Sequence, residues 1–97
     1  MGSLKTTRWD SAKFLETEVD MAAYLEAVLE EDDPALLVHA LGVIARARGM
    51  TQLARDTGLA RESLYKALSE NGNPEFATVM KVVGALGLKF HVEPIDA

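Results

Sequence analysis

The chain contains no cysteine among its 97 residues. This excludes disulfide bonds, thiolate zinc sites and a cysteine nucleophile, so that packing or association must hold the core. Long apolar runs are also absent, since none approaches the roughly 18 residues that cross a bilayer. The first residues lack the order of basic, apolar and small residues that marks a signal peptide. We therefore expect one domain over residues 1–97 of a soluble, cytoplasmic protein that does not contact membranes.

The features of an enzyme are missing as well. The sequence has no phosphate-binding loop, no nucleophile close to a histidine, and no carboxylate pair that its spacing would place in a pocket. Its two histidines, His39 and His91, lie far apart and have no cysteine partners, which disfavours a metal site. We expect no catalytic activity, no cofactor and no bound metal.

Charge is distributed unevenly along the chain, whose net charge is −5. Residues 1–34 hold nine acidic and three basic side chains, whereas residues 35–97 hold six acidic and seven basic ones. Between residues 45 and 70 the basic side chains outnumber the acidic ones, and these basic residues are Arg46, Arg48, Arg55, Arg61 and Lys66. This segment is therefore locally cationic. The acidic side chains of residues 1–34 form either a solvated surface or a surface that binds a basic partner.

Helical periodicity and capping residues divide residues 10–33 into two elements. Asp10 can cap a short turn or helix that ends near Leu15, and an amphipathic helix should follow from Asp20. Its expected apolar residues are Ala23, Tyr24, Leu25, Ala27, Val28 and Leu29. Its expected outward residues are Glu26, Glu30 and Glu31.

Residues 34–87 have the pattern of a helical core. Asp33 can cap the next helix and Pro34 suits its first turn, while Gly49 supplies a C-terminal stop. The predicted buried stripe of this helix is Leu37, Leu41, Ile44 and Ala45.

The segment "MTQLARDTGLARESLYKAL" follows, with the spacing of a helix-turn-helix. Thr51 can cap a helix of two turns that Gly58 ends, and the small Ala54 permits close approach of a second helix whose Leu64 closes the angle. Leu59 and Leu68 should complete the local core. The second helix should expose side chains suited to base edges and phosphates, namely Arg61, Glu62, Ser63, Tyr65 and Lys66.

A last helix and a strand-like tail end the pattern. Pro74 and Glu75 open the helix, Gly87 closes it, and its expected apolar face is Phe76, Val79, Met80, Val83 and Leu86. Residues 88–94 alternate between apolar and polar side chains, which predicts a half-buried strand. Because no second strand is predicted, we expect the tail to pair with its own copy or with the edge of another protein.

The ordered strings "WDSAKFLETEVDMAAYLEA", "IARARGMTQLARDTGLARESLYKALS" and "NPEFATVMKVVGALGL" resemble HigA-like addiction-module antidote proteins, which are antitoxins of the Xre helix-turn-helix class. The resemblance covers about nine-tenths of the chain. It implies an all-α fold: a small five-helix domain with an Xre/lambda-repressor-like helix-turn-helix and a short C-terminal β-strand.

The same resemblance implies a function. Members bind and neutralise a RelE/ParE-type toxin and repress their own operon as DNA-binding homodimers, so operator DNA and a cognate toxin are the expected partners. The expected DNA-binding residues are Thr51, Gln52, Arg55, Ala60, Arg61, Glu62, Ser63, Tyr65, Lys66 and Asn71. Two alternatives stay open: an interaction module that only sequesters a toxin, and a stand-alone Xre-type transcriptional regulator.

Two of these residues depart from what DNA binding favours. Ala60 stands where the family pattern commonly has Ser or Thr, and alanine offers no capping hydroxyl or phosphate contact. Glu62 either repels phosphate or accepts a hydrogen bond from a cytosine amino group. Both departures predict weaker DNA binding unless the operator compensates.

Overall fold

The computed structural model describes residues 17–95, and in this range it has five α-helices and no strand. In chain order they are α1 (Glu18–Leu29), α2 (Pro34–Arg48), α3 (Met50–Thr57), α4 (Arg61–Ala67) and α5 (Phe76–Ala85). The all-α class is thereby confirmed for this part of the chain. The element predicted between Asp10 and Leu15 lies outside the described residues.

Helix α1 begins earlier than its periodicity predicted. The Thr17 hydroxyl caps it by accepting a 3.1 Å hydrogen bond from the Asp20 backbone N–H. Its buried residues are Met21, Leu25 and Val28. The prediction that Ala23, Ala27 and Leu29 face the core was wrong, because all three are exposed. Alanine fits either side of a helix, and the larger side chain of Met21 is fully buried instead.

Helix α2 begins as predicted. The Asp33 carboxylate accepts hydrogen bonds from the backbone N–H groups of Ala35 (3.1 Å) and Leu36 (3.4 Å), and Pro34 occupies the first turn. Gly49 follows the last helical residue, also as predicted. The buried residues of α2 are Ala40, Leu41, Gly42, Ile44 and Ala45. Helix α2 contacts α1 and α3, and α3 in turn contacts α4 and α5, so α3 is the helix that joins the rest of the fold.

The cap predicted for α3 was wrong. The helix begins at Met50 with Gly49 as its N-cap, and no side chain caps it. Thr51 therefore lies inside the first turn with its side chain exposed. The apolar Met50 is buried, and burying it extends the helix by one residue before Thr51.

Helix α5 packs against α3, and the prediction that Val79, Val83 and Leu86 face the core is confirmed. Its buried residues are Val79, Val82 and Val83, and Leu86 is buried just after its end. The prediction that Phe76 and Met80 lie in the core was wrong, because they are 70% and 49% exposed. Apolar residues occur around most of this helix, so periodicity alone does not select one face.

The strand predicted over residues 88–94 is not formed. These residues have neither helix nor strand structure. A strand is defined by pairing with another strand, and the described residues of one chain provide none.

The core of the described residues is apolar throughout. It joins all five helices, with no buried polar or charged side chain among residues 17–95. The largest fully buried side chains are Met21, Leu41, Ile44, Leu53, Leu64, Val82 and Leu86. Within the same residues, no helix is both long and apolar enough to cross a membrane.

Candidate nucleic-acid interface

Helices α3 and α4 are joined by a connection of three residues, Gly58 to Ala60. Gly58 has a φ of 77°, a left-handed conformation that glycine adopts without steric cost. The Thr57 hydroxyl donates a 2.8 Å hydrogen bond to the Leu53 carbonyl and accepts one of 3.2 Å from the Leu59 N–H. These hydrogen bonds fix the conformation of the connection between α3 and α4.

The inner side of α4 is anchored in the core. Leu64 is fully buried and Leu68, just after the helix, is 3% exposed, while Leu59 is partly buried against the same cluster. The predicted role of these three leucines in the local core is confirmed. Anchoring one side of a seven-residue helix leaves the other side to solvent.

The end of α4 also approaches the backbone of α2 closely. A Cβ atom added to Gly42 would lie 2.7 Å from the Leu68 carbonyl oxygen, which is closer than real Cβ contacts. Only glycine therefore lets α2 meet α4 at this point. Gly42 was not among the residues predicted to matter here, although a glycine inside an apolar helix is a recognised signal of close backbone approach.

All ten predicted DNA-binding residues are exposed. Five lie in α4 (Arg61, Glu62, Ser63, Tyr65 and Lys66), three in α3 (Thr51, Gln52 and Arg55), Ala60 before α4, and Asn71 after it. The exposure predicted for the five α4 residues is thereby confirmed, whereas the geometry does not test their contact with DNA.

One group of these residues connects the two helices. Arg61 Nη1 donates a 3.3 Å hydrogen bond to Thr51 Oγ1, and the Arg61 guanidinium carbon lies 5.7 Å from the centroid of the Tyr65 ring. Arg61 is therefore held between a hydroxyl on α3 and an aromatic ring one turn along α4. This arrangement places a cation and an aromatic side chain on the same exposed surface.

A second group surrounds an open groove at the end of α4. Ser63, Lys66 and Asn71 line it, together with Ser69 and Gly72, around a volume of about 520 Å³. The Ser69 hydroxyl donates a 2.9 Å hydrogen bond to the Lys66 carbonyl, which closes the helix end. A Cβ on Gly72 would collide with the Ala67 carbonyl, so this loop also depends on glycine. The groove therefore brings the ammonium group of Lys66 close to several hydrogen-bonding side chains.

The remaining predicted residues are not brought into these groups. Gln52 Nε2 donates a 2.9 Å hydrogen bond to Asp56 Oδ1 along α3, and no ion pair of Arg55 or Glu62 occurs among the described residues. Ala60 has an extended backbone (φ −69°, ψ 143°) suited to a capping residue but provides no capping side chain. The first turn of α4 therefore has no side-chain capping hydrogen bond.

Arg48, a cation of the basic segment, has a structural contact instead. Its Nη2 lies 3.3 Å from Glu18 Oε2, and its Nη1 lies 3.8 Å from the Met21 sulfur. Arg48 thus links the end of α2 to the start of α1. Elsewhere on α1 and just after it, Glu26, Glu30 and Glu31 are exposed, as predicted.

Together these observations define a small helical protein whose short helix α4 is fixed on its apolar side and exposes a polar, cationic and aromatic side. Over residues 5–94, the chain matches the family model described as "Probable addiction module antidote protein". The chain belongs to this family.

A relative from Haemophilus influenzae (strain Rd), described as an uncharacterized protein, is 55% identical over 85 residues, which cover 88% of each chain. No solved structure matches the chain significantly. Membership in an antidote family implies a toxin as a partner.

Proposed function

We propose that this protein is the antitoxin of a type II toxin–antitoxin module that neutralises a RelE/ParE-type toxin and represses its own operon as a DNA-bound dimer. Family membership supports the antidote role. In this proposal α3 and α4 form an Xre-type helix-turn-helix, with α4 as the helix that enters the major groove.

DNA binding is supported by the amphipathic character of α4, which has one buried apolar side and one exposed polar side. Its Leu64 is fully buried in the core, while its five predicted contact residues are exposed. Arg61, held beside Thr51 and Tyr65, is suited to a guanine edge or a phosphate. Lys66 and Asn71 in the groove are suited to the phosphate backbone.

The toxin-binding part is supported by charge. Glu26, Glu30 and Glu31 are exposed at and just beyond the end of α1, away from the basic segment in sequence. Toxins that act on RNA carry cationic surfaces, and opposite charges accelerate association between such partners. We propose that this acidic surface meets the toxin while α4 stays available to DNA. The protein acts in the cytoplasm by binding alone, and turnover of RNA or nucleotide by a contaminant-free preparation would contradict this.

Fluorescence anisotropy tests the proposal, with the protein's own upstream DNA and a scrambled duplex at two salt concentrations. We expect selective binding to the upstream DNA that weakens steeply with salt, because bound lysine and arginine side chains release counterions from phosphates. Arg61→Ala and Lys66→Ala combined in one protein should abolish this binding and leave toxin binding intact. Loss of toxin binding in the double variant would contradict the assignment of the exposed face.

A second candidate is an interaction module that sequesters the toxin without binding DNA. The uncapped start of α4 at Ala60 and the exposed carboxylate of Glu62 favour it. No binding to either duplex, or weak binding that does not distinguish them, together with tight toxin binding, would support this candidate. Selective DNA binding without any toxin partner would instead indicate a stand-alone transcriptional regulator.

A further inference from the structure

An apolar surface extends from α5 onto the residues that follow it. Phe76 and Met80 lie one turn apart on α5, and Phe90 and Val92 follow in the tail; these side chains are 70%, 49%, 36% and 89% exposed. We call residues 88–95 the tail, and these four side chains the α5–tail surface. Exposed apolar side chains that group together mark an interaction surface.

The tail is placed against α5 by two contacts. The Leu88 N–H donates a 3.0 Å hydrogen bond to the Val83 carbonyl, and the rings of Phe90 and Phe76 stack with centroids 6.3 Å apart. Gly87, with a φ of 82°, lets the chain turn between these points. The tail therefore turns back along the helix and carries Phe90 onto its exposed side.

Side chains of the tail alternate between two sides. His91 Nε2 lies 3.8 Å from Glu93 Oε1, so these two residues share one side, while Phe90 faces Phe76. This is the two-residue period of a strand. Among the described residues, the backbone of residues 89–95 makes no backbone–backbone hydrogen bond, so its donors and acceptors are available to a second strand.

The sequence of the tail is complementary to itself in one arrangement. In an antiparallel pair of two tails centred on His91, Lys89 lies opposite the partner's Glu93, and Phe90 lies opposite the partner's Val92. Parallel pairing would instead place Lys89 opposite Lys89 and Glu93 opposite Glu93. Directly opposed unlike charges stabilise a strand pair and like charges destabilise it.

We propose that the α5–tail surface binds a second copy of this chain, through an antiparallel tail pair centred on His91. The paired tails bury their Phe90 and Val92 side against Phe76 and Met80 of both copies, and the ion pairs lie on the other side. The tail pairing rests on the proposed function only because that function requires a dimeric antitoxin. It adds which surface forms the dimer and in which register the two tails pair.

Cysteine cross-linking tests the register, because the natural chain has no cysteine to interfere. Two residues at the centre of an antiparallel pair have Cα atoms about 4.5–5.5 Å apart, within disulfide range. Two copies of residue 95, which lies beyond the proposed pairs, would be about 26 Å apart. In a mildly oxidising buffer, we expect full-length His91→Cys to form a disulfide-linked dimer at least about tenfold faster than the matched control Ile95→Cys. Equal rates, or faster linking of Ile95→Cys, overturn the proposal.

Charge reversal provides an independent test by sedimentation velocity. Lys89→Glu and Glu93→Lys each place like charges opposite one another twice per dimer, and each should raise the dimer Kd about tenfold. An equimolar mixture of the two variants should recover the wild-type Kd, since every opposed pair then has unlike charges. A mixture that associates no better than the single variants overturns the register.

The outcomes separate this inference from the proposed function. A dimer unaffected by these changes overturns the tail pairing and leaves the proposed dimeric antitoxin intact. A wild-type chain that stays monomeric at every concentration overturns both the tail pairing and the dimer. A charge-sensitive dimer that does not distinguish operator from scrambled DNA supports the tail pairing and contradicts the DNA-binding proposal.

Discussion

The guanidinium group of Arg61 donates a 3.3 Å hydrogen bond to the hydroxyl of Thr51, which lies ten residues earlier in the chain. The bond joins the first turn of α3 to the first turn of α4 on their exposed side. Leu64 and Leu68 pack the opposite side of α4 into the core, so α4 is held on one side by apolar contacts and on the other by this hydrogen bond. In the proposed DNA complex, the hydrogen bond orients the Arg61 side chain before DNA binds.

Removing the Thr51 hydroxyl should therefore weaken operator binding without unfolding the protein. We expect Thr51→Val to raise the operator Kd by about twofold to tenfold, because one exposed hydrogen bond contributes about 0.5–1.5 kcal/mol. Thr51→Ser keeps a hydroxyl and should bind as the wild type does. Anisotropy titrations measure the Kd. Identical binding by all three proteins would show that this contact does not prepare Arg61 for DNA.

Lys66 should act on DNA through charge alone. Lys66→Ala should weaken binding to operator and scrambled duplexes by similar factors, and should reduce the slope of log K against log salt by about 1, as for one lost phosphate contact. Lys81→Ala removes an exposed cation from α5 and should leave the slope unchanged. Equal slopes for Lys66→Ala and the wild type would place Lys66 away from phosphate.

A capping residue at position 60 should stabilise α4. The backbone of Ala60 already has an extended conformation, so the hydroxyl of Ala60→Ser can accept a hydrogen bond from the first turn. We expect the free energy of unfolding to rise by about 1 kcal/mol, measured by urea denaturation. Ala60→Val, which has no polar group, serves as the control and should give no gain. A destabilised Ala60→Ser protein would contradict the expected cap geometry.

Two glycines inside helices should respond to alanine in opposite ways. Gly42→Ala places its Cβ against the Leu68 carbonyl and should lower the free energy of unfolding by about 1–3 kcal/mol. Gly84→Ala meets no atom within 4 Å and should raise it by about 0.4–1 kcal/mol. Thermal or urea unfolding of both variants checks the pair. Similar effects at both positions would mean that the approach of α4 to α2 is not tight.

The start of α2 and the turn after α3 were predictable from the sequence because each depends on one or two residues, whereas the caps of α1 and α3 were not predicted correctly. Asp33 with Pro34 starts α2, and Gly58 takes the left-handed conformation that its place in the pattern required. The buried leucines of α4 were equally evident, since polar residues surround Leu64 in the sequence. Local chemistry decides each of these features without reference to the rest of the fold.

The errors arose where local chemistry permits two answers. Ala23 and Ala27 suit either side of α1, and the choice depends on how α1 meets α2. Helix α5 is apolar around most of its surface, so only packing against α3 determines that Val82 is buried and Phe76 exposed. The contact between Arg61 and Thr51 depends on the angle between two helices, which spacing along the chain does not specify.

The packing of α5 against α3 has a consequence for the length of DNA that a dimer would recognise. One side of α5 touches the helix pair proposed to face DNA, and the other carries the surface proposed to join two copies. In such a dimer, only α5 and the paired tails would lie between the recognition helices of the two subunits. The spacing of these helices, and so the distance between the operator half-sites, would depend on the thickness of α5 and on the register of the tails. Shifting that register by two residues would change the half-site spacing that the dimer binds.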